Sequence, residues 1–263
     1  MLPTTRPEHD TLQTQTHRSS TPFTASSRAH DQKTHLLLAA SGSVATIKIP
    51  LILSSLSHHP TLSIILILTH SASSFLSGQS AEQPHYKSLS QIPNVDGIFL
   101  DDEEWVLPWK RGDSILHIEL RRWADCMVVA PLSANTLAKV VGGLADNLLS
   151  CVVRAWDTTG LVEPSTAVAV SGDGVGNEGE KRRKKKRIIV APAMNTAMWR
   201  HPITTRQIRV LEEEWGVEGD GERDGWFEVL RPMEKELACG DVGDGAMKDW
   251  KEIVKVIEQR LEL

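Results

Sequence analysis

The sequence predicts an α/β fold built on a parallel, doubly wound sheet. Three observations carry that prediction. Short apolar runs at 35–40 (HLLLAA), 62–69 (LSIILILT), 126–130 (CMVVA) and 188–191 (IIVA) read as strands buried on both faces. Each is followed by a polar or glycine-containing turn and then a helical pattern, at 41–44, 69–71, 133–136 and 192–196. Repeated strand–turn–helix units with right-handed crossovers put all these turns on one edge of the sheet, where open α/β folds bind ligands.

Composition bounds the function. The 263 residues suit one α/β domain with added loops. Hydrophobic residues at 40% and charged residues at 24% form a globular balance. A net charge of −5 argues against nucleic acid as a partner. No apolar run reaches the ~18 residues of a membrane span. Cys126, Cys151 and Cys239 are odd in number and lack metal-ligand spacing. They argue against a disulfide framework or structural zinc, and suit a reducing, cytoplasmic compartment. Residues 1–33 are rich in Thr and Ser and have no apolar signal core, and Glu8 and Asp10 argue against a transit peptide. They read as a disordered extension, leaving 34–263 as the folded domain.

In chain order, Gly42 lets the first turn approach a ligand, and Ser43 either caps a helix or bonds a phosphate. Thr69, His70 and Ser71 stand at the C-terminal end of the second strand. Residues 97–100 form a third short strand. The acidic run 101–104 reads as a solvated face, with Trp105 and Trp109 packing the following loop onto the domain. Residues 116–124 (LHIELRRWA) form a helix with His117, Leu120 and Ala124 near one face. A lone histidine there is more often a satisfied structural residue than a catalytic one.

The strand at 126–130 breaks at Pro131 and delivers Ser133, Ala134, Asn135 and Thr136 to a helix start. Those residue types make an ordinary N-cap, or an anion site, because the first amides of a helix lack internal partners. A helix near 145–156 follows, then a strand edge at 166–170 and a glycine-rich, basic insertion at 171–187. Seven consecutive cations, 181–187, mark a solvated loop or a nuclear-localisation signal. Pro192 ends the next strand, and Asn195 and Thr196 open a helix predicted to run to about Trp215. Residues 226–230 form a strand. The glycines around Cys239 suggest a flap that closes on a ligand, and 248–263 a closing amphipathic helix.

Five segments together resemble the phosphopantothenoylcysteine decarboxylases, a group of flavin-dependent cysteine decarboxylases. They are GSVA at 42–45, LHIELRRWAD at 116–125, PLSANT at 131–136, PAMNTAMW at 192–199 and ACGDVGDGAM at 238–247. The resemblance implies a flavodoxin-like, Rossmann-type three-layer fold, bound FMN, and a homotrimer with its sites at subunit contacts. It implies that Gly42, Ser43, Val44, Thr69, His70, Ser71, Ser133, Ala134, Asn135, Thr136 and Ala193 hold the flavin. Asn195 would hold the substrate carboxylate, with Arg122, Ala238 and Met247 completing the substrate site. His117 would be the base and Cys239 the proton donor. The implied reaction converts 4′-phosphopantothenoylcysteine to 4′-phosphopantetheine and CO2 through a thioaldehyde and an enethiol. Glu236 departs from the family, which often carries a basic residue there. Some fungal relatives resemble protein phosphatase inhibitors that lack part of the catalytic set. The presence of His117, Asn195 and Cys239 together favours the enzyme.

Overall fold

The computed structural model describes residues 23–28, 30–106, 108–162, 185–217, 225–236 and 242–263. Six strands form one parallel sheet: β1 (Thr34–Ala40), β2 (Leu62–Leu68), β3 (Val95–Leu100), β4 (Cys126–Leu132), β5 (Arg187–Pro192) and β6 (Phe227–Val229). Their order is β3-β2-β1-β4-β5-β6, so the direction of winding reverses between β1 and β4. A second, antiparallel pair joins β7 (Met233–Glu236) to β8 (Val242–Ala246). The helices are α1 (Ile49–Leu56), α2 (His70–Ser73), α3 (Leu116–Trp123), α4 (Ala134–Gly142), α5 (Leu148–Arg154), α6 (Thr196–Trp199), α7 (Pro202–Arg209) and α8 (Trp250–Leu261).

Alternation along the strands builds the three layers. Leu36, Leu38, Ile64, Leu66 and Val128 face one core with Ile52, Leu53 and Leu56 of α1 and Ile253 and Ile257 of α8. Leu37, Ile65, Ile67, Met127 and Val129 face the other, with Leu120 of α3, Leu137 of α4 and Leu149 and Val152 of α5. Every residue of β2 and β4 is buried, which is why these strands read as continuous apolar runs. The flavodoxin-like, Rossmann-type expectation holds.

Local differences have physical causes. β4 continues through Pro131 to Leu132, with a register shift between Val129 and Leu132. Pro131 donates nothing, but its carbonyl still accepts from Ser41 N at 3.0 Å. The helix predicted from Asn195 to Trp215 is interrupted between α6 and α7. Pro202 starts α7, and His201 caps it by accepting from Ile203 N at 3.2 Å.

Trp105 and Trp109 do not pack on the domain; they are 61% and 52% exposed. Trp109 instead donates to Asp113 O within its own loop. The acidic run is not a solvated face, because two of its members turn inward, as described below.

Residues 23–28 and 30–33, assigned from sequence to the extension, make contacts with the domain. Phe23 stacks edge-on against Phe99 and Trp123, and Ala25 N donates to Glu119 Oε2 at 2.8 Å. The rest of the expected extension, the strand edge at 166–170 and residues 171–184 of the basic insertion lie outside the described residues.

Candidate active site

Four βα turns end in the same device. Ser43 accepts from Ala45 N at 3.4 Å, Thr69 from Ala72 N at 3.2 Å, Ser133 from Thr136 N at 3.3 Å and Asn195 from Met198 N at 2.8 Å. Each is extended in φ/ψ and caps the segment that follows it. The cap reading of these residues is therefore correct, and it does not exhaust them. A cap consumes one acceptor and leaves the first amides of the turn without an intrahelical partner.

Backbone bonds stitch the turns side by side. Thr69 N donates to Ala40 O, and Ala193 N to Leu132 O. Across the winding reversal, fully buried Ser41 accepts from Ser133 N at 2.8 Å and donates to Pro131 O at 3.0 Å. Gly42 sits so close to the second turn that a Cβ there would lie 2.6 Å from Ser71 Cβ. The first turn can therefore lie against the second only with glycine at 42.

The result is one cavity of about 540 Å3 on the C-terminal edge of the sheet, within the ~300–1,000 Å3 range of small-molecule sites. Gly42, Ser43, Val44, Thr69, His70, Ser71, Ser133, Ala134, Asn135, Thr136, Ala193 and Asn195 all line it. These are all the flavin positions expected from sequence, together with Asn195.

Sequence reasoning missed other lining groups. Asp101 accepts from His70 N at 2.9 Å and ties the second turn to the end of β3. Burial pushes its carboxyl above the ordinary range, against the lowering effect of the His70 and Leu148 amides. Lys139 pairs with Asp146 at 2.8 Å on the cavity wall. Asp101 immediately follows a strand, so the same edge rule that selected Thr69–Ser71 also points to it.

Other expected site residues stand elsewhere. His117, near the start of α3, does not line the cavity; its Nδ1 lies 2.5 Å from Glu104 Oε1. Arg122 is half exposed and donates to Glu119 Oε1 at 2.9 Å. Met247 is 9% exposed, in the core cluster that includes Ala193. Ala238 and Cys239 lie outside the described residues. The strand that follows them is described: Met194 N donates to Gly245 O of β8 at 3.0 Å, directly before Asn195. Of the other cysteines, Cys126 has its thiol pushed up to about 12 by burial and stays protonated.

Comparison with known proteins explains the convergence. The flavoprotein family model matches residues 24–262. Phosphopantothenoylcysteine decarboxylase of Mus musculus is 35% identical over 220 residues, covering 84% of this chain and 83% of its own. An Arabidopsis thaliana protein of the same name is 40% identical over 212 residues, covering 80% and 77%. The chain belongs to the phosphopantothenoylcysteine decarboxylase family of flavoproteins.

Solved structures agree. A PPC decarboxylase mutant complexed with pantothenoylaminoethenethiol superposes with a TM-score of 0.64 at 36% identity, covering 88% of this chain and all of that one. The FMN-binding protein AtHal3 gives 0.62 at 37%, covering 88% and 97%. The peptidyl-cysteine decarboxylase EpiD, at 18% identity and a TM-score of 0.54, shares the fold.

The residues of the decarboxylase-family cavity fit FMN. Ala134 and Asn135 head α4, a nine-residue helix, so its unpartnered amides and positive dipole end suit a phosphate. The glycine at 42 lets the first turn close against the second at the cavity edge, and Ala193 adds a small apolar wall.

Proposed function

We propose that this chain catalyses the decarboxylation of 4′-phosphopantothenoylcysteine to 4′-phosphopantetheine, with FMN in the cavity described above. The observation that carries this reading is the convergence of four capped turns, Asn195 the cap of the last, on one pocket. FMN, when bound, supplies a reversible hydride acceptor, which the side chains of the protein do not offer.

In this reading Ser43, Thr69, Ser71 and the 133–136 turn bind the flavin. Asn195 binds the substrate carboxylate. Its Oδ1 is committed to Met198 N, so its amide N–H groups are left to donate. An amide holds the carboxylate without a positive charge that would oppose CO2 loss.

His117 takes the thiol proton, since imidazole titrates near neutral pH. Cys239 returns a proton to the product side, as a thiol of ordinary pKa about 8.5 is mostly protonated at neutral pH. Arg122, Ala238 and Met247 support the substrate.

His117 stands outside the cavity of its own chain, which supports a homotrimer in which a neighbouring copy completes each site. Exposed Trp105, Val106, Trp109 and Leu144 give such an assembly apolar surface to bury. No helix among the described residues is long and apolar enough to cross a membrane. We place the protein in the cytoplasm, with a nuclear pool directed by the basic insertion.

The test is CO2 release from 4′-phosphopantothenoylcysteine by purified, FMN-supplied protein, with the assembly mass measured by light scattering. Release together with 4′-phosphopantetheine is expected. An FMN-loaded trimer that releases no CO2 would overturn the enzymatic reading and favour a regulatory one.

A further inference from the structure

Glu104 lies on a short 3-10 turn, Asp101–Trp105, that follows β3. Its side chain is only 2% exposed, so its carboxyl group needs partners within the fold. What it meets is the start of α3. That helix begins at Leu116 after Ile115, which offers no side-chain cap. Glu104 supplies the missing acceptor from another element: its Oε1 accepts from His117 N at 3.1 Å. The same oxygen lies 2.5 Å from His117 Nδ1.

A carboxylate only accepts hydrogen bonds. Nδ1 must therefore carry a proton in the neutral ring, and the lone pair is left on Nε2. The backbone bond matters as much as the ring bond. It holds the carboxylate in place through the helix end, so the ring is oriented by a group that is itself fixed. Cys151 Sγ lies within 4.8 Å of both the Glu104 and His117 ligand atoms. Burial and the charges of Glu104, Asp146 and Asp101 push that thiol up, and the two aspartates also line the cavity. Glu104 also shares its turn with Asp101, which lines the cavity, so the dyad is joined to the cavity wall through one short element.

We propose that Glu104 is the positioning residue of the decarboxylase site: it locks His117 in the Nδ1–H tautomer and presents a basic Nε2 to the substrate thiol. This deepens the proposed function and rests on His117 acting as the base. Orientation, rather than charge, is the main contribution. A Gln amide oxygen can accept from both His117 N–H groups as Oε1 does, whereas Ala can accept from neither.

The experiment uses full-length, 15N-histidine-labelled protein with FMN, with the His117 signals assigned by their loss in His117→Gln. The wild type and Glu104→Gln are expected to show a protonated Nδ1 and an unprotonated Nε2. Glu104→Ala is expected to lose that pattern. Its kcat should fall about tenfold to a hundredfold, part of the ~10²–10⁴ a positioned base contributes. KM should move less than about threefold and FMN should stay bound, which a general loss of structure would not give.

A wild-type ring protonated on Nε2, or a Glu104→Ala protein with unchanged tautomer and kcat, would overturn the proposal. If Glu104→Ala fails to fold, the wild-type spectrum still decides. If the wild type released no CO2, the proposed function would fall, while the tautomer would still be read.

Discussion

Replacing Asn195 by Asp separates its two jobs. In the structure Asn195 caps α6 through Oδ1, 2.8 Å from Met198 N, and the residue lines the cavity. Asp is as good an N-cap as Asn, and its charge favours a helix start. Stability should therefore stay within about 0.5 kcal/mol of the wild type. Binding should not survive. Asp loses a hydrogen bond to a charged group, worth about 1.5–3 kcal/mol. It also places a second carboxylate near that of the substrate. Two unit charges ~4 Å apart at an effective dielectric of ~20 repel by about 4 kcal/mol.

Together these terms predict a fall of about 10⁴-fold or more in kcat/KM, at 1.36 kcal/mol per decade. Asn195→Ala reverses the ranking. It removes the cap, costing about 1 kcal/mol of stability, but loses only the hydrogen bond, about 10-fold to 150-fold in kcat/KM. The assay is CO2 release from 4′-phosphopantothenoylcysteine, with thermal unfolding of each FMN-loaded variant. Asp should thus be the more stable and the less active of the two. If Asp turned over faster than Ala, or near the wild-type rate, the assignment of Asn195 to the carboxylate would be refuted.

Three further outcomes follow from other parts of the molecule. Gly42→Ala would force the first turn from the second, since the added Cβ meets Ser71 Cβ at 2.6 Å. At about 1–3 kcal/mol of overpacking, FMN affinity by fluorescence titration should drop tenfold or so, and an unchanged affinity would refute the close packing of the two turns. His35 lies between Asp125 and Asp31, with its Nδ1 3.4 Å and Nε2 3.2 Å from their carboxylates. Burial opposes its charge, but the hydrogen bonds to Asp125 and Asp31 outweigh it and raise its pKa above the ordinary 6.5. The stability this adds is fully present below about pH 6.5 and is lost as the pH rises through the raised value. Urea midpoints should fall across that window, and His35→Gln should flatten the fall; an equal slope in both proteins would refute the contribution of the Asp31–His35–Asp125 contacts. Cys239→Ser should still release CO2 but accumulate the enethiol, which mass spectrometry of the products would detect.

The sheet and most of its ligand edge were legible because they obey short-range rules. Strands buried on both faces give unbroken apolar runs, as in β2 and β4. Each turn after them needs an N-cap, so Ser43, Thr69, Ser133 and Asn195 announce themselves by residue type. Ser41 did not, because its importance lies in accepting from Ser133 N, 92 positions away, and no local pattern encodes that bond. The helical stretch after Asn195 does end at Trp215, and what the residue pattern did not show is its interruption before Pro202, although proline at a helix start is a readable signal.

The acidic run shows how residue type misleads when geometry is ignored. Four consecutive acids look solvated whichever structure they adopt. In a 3-10 turn, however, positions i and i+3 lie one above the other. Asp101 and Glu104 have that spacing, and both have inward partners: Asp101 receives His70 N, and Glu104 receives His117. Asp102, between them, is exposed. One turn thus joins the edge of the flavin cavity to the histidine, with two residues between the two anchors. Lengthening that turn by one alanine after Asp102 would rotate Glu104 off the shared face. Such a protein should keep FMN, since Asp101 stays in place, and lose most of its kcat. Equal losses of FMN binding and turnover would instead mean that the turn acts only as a structural support.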